Sequence, residues 1–210
     1  PLNIPTGSNN NISFGPARIF MEEWRTPTAG GVTPVTDVGF VGEDGVSIEL
    51  ASEKKDITQG NPQLIQYSFV TAQSATISFS SIEWNFENFR LALGAGATSF
   101  ATTGGAPSGA GLTFGTNYST TTFNFGGNPL NTYVMLQIQH RMAQSAGTLY
   151  AHIWKAQSES GFNLPFGVDE HTFEFSFKAI AATKSWTNQT LPFDQCLMKL
   201  ERQWGEPGIL

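Results

Sequence analysis

The chain has 210 residues, with 11 basic and 17 acidic side chains, a formal charge of -6 at pH 7, and 17 Phe and 5 Trp to build a large core. That aromatic content excludes wholesale disorder, and the length suits one β-rich domain with appendages. Lys and Arg are scattered along the sequence, which excludes a protein that grips nucleic acid through its phosphates but not one that lets DNA slide past it.

Residues 1–36 mix turn formers (Gly7, Ser8, Asn9, Asn10, Asn11, Gly15, Pro16, Gly30, Gly31) with one apolar island, Ile19, Phe20, Met21 and Trp24. They read as an extended amino-terminal arm carrying one short strand. A β core is expected over 37–186. It opens as a hairpin: Val38 to Val41, then Glu43-Asp44-Gly45, then Val46, Ile48 and Leu50 alternating with Ser47 and Glu49. Polar residues from Ser52 to Thr58 and a turn at Gln59-Gly60-Asn61-Pro62 come next. A long alternation then gives Tyr67, Phe69, Ala75, Ile77 and Phe79 one parity, and Gln66, Ser68, Ser74, Thr76, Ser78 and Ser80 the other. The span 53–72 is expected to be a long loop between two strands, a feature that in compact domains is often functional.

At Ile82 the period changes. Ile82, Phe86, Phe89 and Leu93 step at helical spacing and Gly94 follows, so one short amphipathic helix is predicted near residues 84–93. Residues 94–131, rich in Gly, Ala, Ser and Thr, are expected to form a loose loop or long hairpin, with Thr120 to Phe123 a poor strand. Three strands close the core, marked by Val134, Leu136, Ile138 and Met142, by Leu149, Ala151 and Ile153 after an Ala146-Gly147 turn, and by Phe173, Phe175 and Phe177. In the carboxy-terminal arm, 187–210, Leu197, Leu200 and Trp204 step at helical spacing. The fold class is therefore mainly β: an antiparallel β-sandwich or rolled β-barrel flanked by one short α-helix, with extended arms and a long inter-strand loop.

Chemical signals are weak. His140, His152 and His171 are assigned to three different strands without a second ligand type at metal spacing, and ordinary sheet-face histidines are the better reading. The acidic pairs Glu22-Glu23, Glu43-Asp44 and Asp169-Glu170 fall in turns or arms and read as solvated charge. No nucleophile elbow or phosphate loop is present, and Gly94-Ala95-Gly96 follows a helix where a dinucleotide motif would open one. The residues thus point to no enzyme, no cofactor and no metal. Asn11, Asn117 and Asn188 stand in glycosylation sequons, but Pro1 to Thr6 does not resemble a secretory signal. The lone Cys196 suits assembly in a reducing cytoplasm, and no apolar stretch approaches a membrane span.

The order of three motifs carries a resemblance. Gly15-Pro16-Ala17-Arg18-Ile19-Phe20, Thr26-Pro27-Thr28 and the run from Asp37 to Leu50 form the first; Ser81-Ile82-Glu83-Trp84-Asn85-Phe86-Glu87-Asn88-Phe89-Arg90-Leu91-Ala92-Leu93-Gly94 is the second. Phe162 to Glu170, running into the Phe173 to Ala179 strand, is the third. In this order they resemble the major tail tube proteins of long-tailed bacteriophages, especially those of actinobacterial hosts.

The resemblance implies a structural virion protein, assembled in the host cytoplasm, whose hexameric rings stack into a tail tube through which DNA is ejected without specific binding. Tape measure, tail terminator and distal tail proteins would be its partners, and no membrane would be. It implies that Ser47, Glu49 and Glu53 line the lumen, and that Lys54, Asp56, Gln63 and Ile65 belong to the loop that meets the next ring. The arms, with Phe20, Trp24, Leu197 and Trp204 as anchors, would lie on neighbouring subunits. Two other readings stay open. One is a monomeric β-sandwich that binds carbohydrate, with Trp84, Tyr150 and Trp154 as stacking platforms, or that decorates a virion; the other is the tube protein of a contractile injection machine.

Overall fold

A computed structural model describes residues 17–28, 30–83, 85–93, 132–142, 147–159, 161, 163, 164 and 171–203, apart from the side chains of Glu43 and Asp44. Seven strands dominate: β1 (Ala17–Glu23), β2 (Val41–Gln59), β3 (Leu64–Ser81), β4 (Val134–Arg141), β5 (Thr148–Ser158), β6 (Phe173–Ala179) and β7 (Met198–Gln203). One α-helix is described, α1 (Phe86–Leu93), together with a 3-10 turn at Phe193–Gln195. Every strand pairing is antiparallel, in the order β1-β4-β5-β6-β3-β2, with β7 added to β5.

Strand β5 joins two layers. Its first part lies between β4 and β7, and its end, Ala156 to Ser158, pairs with β6. Leu136 faces Ile153 and Val134 faces Ala156, so β5 takes three steps where β4 takes two. Such a bulge bends a strand and increases its twist, which carries β5 from one layer toward the other. The inner faces then meet: Ile19, Met21, Leu136, Ile138 and Ile153 pack in one core with Ile77, Phe79, Phe173, Phe175 and Phe177. Of the two forms expected, sandwich or rolled barrel, the packing is sandwich-like.

The helix forms where the period changes. Asn85 Oδ1 accepts the Glu87 amide at 3.0 Å, satisfying one of the free donors of the first turn. Phe89, 1% exposed, meets Phe173 edge-on at 5.0 Å, and Asn88 Nδ2 donates to the Val38 carbonyl at 2.8 Å. Arg90 ties the outer side of α1 to Glu87 and to Glu23 of β1.

Five expectations are corrected. Glu43-Asp44-Gly45 does not turn a hairpin: Val41 faces Ser81 and Val46 faces Phe79, so β2 takes five steps against two on β3 and passes through an irregular bulge. Gly45, at φ +71°, supplies the left-handed residue this needs. The span 53–72 is no loop, because β2 and β3 continue pairing out to Gln59 and Leu64 and turn at residues 60–63, where Gly60 has φ +103°.

The described parts of both arms belong to the fold of their own chain. Residues 17–23 pair fully with β4, and residues 198–203 pair with β5 as a strand where helical spacing was expected. Met198 opposite Ile153 and Leu200 opposite Ala151 give β7 a period of two that its pairing with β5 enforces. His171 precedes β6 and does not lie on a strand. The readings placed on residues 1–16 and 94–131, on Trp84 and Trp204, and on 165–170 fall outside the described residues.

Candidate functional site

Beyond the core, β2 and β3 leave the sandwich as a two-stranded ribbon. Every residue from 51 to 73 is exposed. The nine residues from Ala51 to Gln59 span roughly 30 Å at about 3.3 Å per residue. A free ribbon of this kind is marginal in water, yet this one carries Ile57 (51% exposed), Leu64 (61%), Ile65 (62%) and Tyr67 (64%).

Register decides which face these residues occupy. Glu53 faces Ala72 and Lys54 faces Val70, which leaves Thr71 as an extra residue on β3; Gln66 is a second, between the Ile57–Tyr67 and Thr58–Ile65 pairs. Opposed residues in an antiparallel ladder point to the same side. Lys55, Ile57 and Gln59 therefore share a face with Phe69, Tyr67 and Leu64, and the rings of Tyr67 and Phe69 stack at 6.2 Å. The sequence alternation had given Tyr67 and Phe69 the parity of buried Ile77 and Phe79. The bulge at Thr71 moves them to the face opposite the core.

Closer to the sandwich, that outward face is polar. Ser47, Glu49 and Glu53 are exposed on β2, opposite Ser78, Thr76 and Ala72, and Ser176 and Lys178 of β6 continue the row. Thus the three residues expected to line a lumen share one water-facing surface. Of the four expected to meet another ring, Lys54, Asp56 and Ile65 lie on the ribbon's core-parity face and Gln63 in its turn, all exposed. Sequence reasoning missed Ile57, Leu64, Tyr67 and Phe69 as a surface set; their apolar character was visible, but their face depended on bulges.

The anchors are placed differently. Trp24 packs with Met135, Trp154, Ala182 and Trp186 of its own chain, and Leu197 packs on the main core. Both are internal anchors, because β1 and β7 are already paired where a free arm was expected. Phe20 lies on the outer side of β1, with the Arg18 guanidinium 5.1 Å from its ring centre.

A groove of about 570 Å³ opens at the root of the ribbon, between Leu50, Val70 and Ala75 on one side and Phe193, Leu197 and Met198 on the other. Phe193 is 92% exposed. On the outer side of β5, His152 stacks between Tyr150 (6.0 Å) and Trp154 (5.7 Å), with Trp186 edge-on at 5.2 Å and Glu201 Oε2 at 3.9 Å. Burial holds its pKa below the usual 6.5 despite the opposing pull of Glu201. Trp154 is 7% exposed and edge-packed against Trp186, so it has no open face for a sugar.

Among the described residues, no group of three or more His, Cys, Asp or Glu converges as metal ligands would, and no helix is long and apolar enough to cross a membrane. The ribbon and groove offer shape, exposed apolar surface and a strand at the edge of the described sheet. Its class is an antiparallel β-sandwich protein with a projecting apolar ribbon. No protein-family model matches the chain, and no curated protein matches it.

Proposed function

We propose that this chain is a structural subunit that self-assembles into rings stacked as a tube, the tail tube of a long-tailed bacteriophage, and that it is not an enzyme. The observation that carries the reading is the ribbon, 51–73, exposed at every residue yet bearing Ile57, Leu64, Tyr67 and Phe69 on one face. Apolar surface on a fully solvated ribbon is an aggregation hazard unless a partner covers it.

Two further features support it. Among the described strands β2 is one edge of the sheet order, which suits backbone pairing with a neighbouring copy. Head-to-tail pairing of that kind closes a ring and removes edges. The polar face of Ser47, Glu49 and Glu53 suits a water-filled lumen, where a carboxylate repeated in each subunit repels phosphate and leaves DNA mobile. The hexamer, the partner proteins and the virion location come from the resemblance of the sequence motifs.

Negative-stain electron microscopy and sedimentation of the purified chain test this reading. Rings or tubes are expected. Monomers at every concentration up to the solubility limit would overturn it.

A further inference from the structure

We infer that the groove at the ribbon's root is the receptor for the ribbon tip of a second copy of this chain. This rests on the self-assembly reading above and names the surface that the ribbon meets.

The groove is built to be filled. Phe193 projects from a 3-10 turn that is held firmly: the Gln195 amide donates to the Pro192 carbonyl at 3.0 Å, Trp154 Nε1 donates to the Gln195 carbonyl at 2.8 Å, and the Ala182 amide donates to the Cys196 carbonyl at 2.8 Å. A large aromatic side chain left 92% exposed on a fixed support is what a central interface residue looks like before its partner arrives. Among the described residues, the buried side-chain atoms of Ser80, Asn88 and His152 that lack a hydrogen-bond partner lie outside the groove. Leu50, Val70, Ala75, Phe193, Leu197 and Met198 give the groove apolar walls, and Ser52, Thr71, Gln73, Ser74 and Asp194 also line it.

The occupant follows from reach and apolar match. The tip of the same ribbon lies roughly 30 Å from its own root along two paired strands, so it cannot fold back into the groove. A second copy brings the matching part: Ile57, Leu64 and Tyr67 on one face, with Glu53, Lys54, Lys55 and Asp56 further along the ribbon carrying no net charge. Knob and hole occupy different places on one chain, so each copy gives its tip and receives another. That heterologous contact propagates along a stack, as a two-fold contact does not.

Cys196, the chain's single cysteine, lines the groove and provides the test. The full-length Ile57→Cys variant is allowed to associate and is then oxidised with a copper catalyst and dissolved oxygen. The expected result is a ladder of disulfide-linked multimers on a non-reducing gel, abolished by adding Cys196→Ser. Separately, Phe193→Ser should reduce polymer at least tenfold without shifting the monomer's melting temperature. Rings or tubes that give no ladder, or only dimers that persist with Cys196→Ser, overturn the groove as receptor while the tube reading stands. A Cys196-dependent ladder from a protein that forms no rings overturns the tube reading and keeps the groove. No association of the parent chain at all overturns both.

Discussion

Tyr67 and Phe69 stack on each other at 6.2 Å while remaining 64% and 37% exposed. Two aromatic rings that order one another without being buried make a pre-formed contact surface, because little side-chain entropy is left to lose on binding. Replacing both with Ser removes that surface and touches no core residue. The double variant is expected to melt within a degree or two of the parent, since exposed substitutions usually change stability by no more than about 0.5 kcal/mol. Sedimentation should show it as monomer at concentrations where the parent is expected to polymerise.

Phe89 is the converse case. It is 1% exposed and meets Phe173 at 5.0 Å, so truncation leaves a cavity that the surrounding strands cannot close. Phe89→Ala should cost about 3–5 kcal/mol, measured as a drop in the urea midpoint at constant slope. An unchanged midpoint would place the helix outside the core.

A third expectation concerns pH. The folded chain protonates His152 only below its ordinary 6.5, because burial among Tyr150, Trp154 and Trp186 disfavours the charged ring. The unfolded chain then binds more protons there, so this part of the stability is present above about pH 6.5 and is lost as pH falls from there through the folded value. Glu201 Oε2 approaches the ring and Lys199 opposes its protonation. Glu201, hydrogen-bonded by Lys199 at 2.7 Å, is held below its usual 4.5, so its own contribution is lost only at lower pH. Urea midpoints read by tryptophan fluorescence should fall between about pH 7.5 and about pH 5.5. His152→Gln should flatten that fall.

The water-facing row gives a fourth. Glu49 is exposed and opposite Thr76, so Glu49→Lys should leave folding and tube formation intact. In assembled tubes one lysine per subunit would form a basic ring, and duplex DNA passing through should be retained. Binding should weaken steeply with added salt, as counterion release requires. Tubes of the variant that retain no more DNA than the parent would place Glu49 off the lumen.

How far the sequence reached depends on whether a property is local. Alternation at Ala75, Ile77 and Phe79, and at Phe173, Phe175 and Phe177, marks strands because side-chain period is set by the backbone of one strand alone, and all six are buried. The switch to helical spacing at Phe86, Phe89 and Leu93 was equally legible, as was the turn after Gln59. Other features belong to pairs of strands. Whether Glu43-Asp44-Gly45 turns a hairpin or bulges within one strand depends on what β3 places opposite Val41 and Val46.

The same holds for the site. Tyr67 and Phe69 share sequence parity with the core, but the unpaired Thr71 shifts β3 by one residue against β2 and turns both rings to the outward face. Leu197 and Trp24, apolar islands in turn-rich arms, find their cover within their own chain because β1 and β7 have partner strands. The sequence by itself determined that the described residues are antiparallel β with one helix. Tertiary structure decided which apolar residues became core, which became ribbon surface, and where a groove opened, because register and bulges are set by the neighbouring strand and not by the strand that carries them.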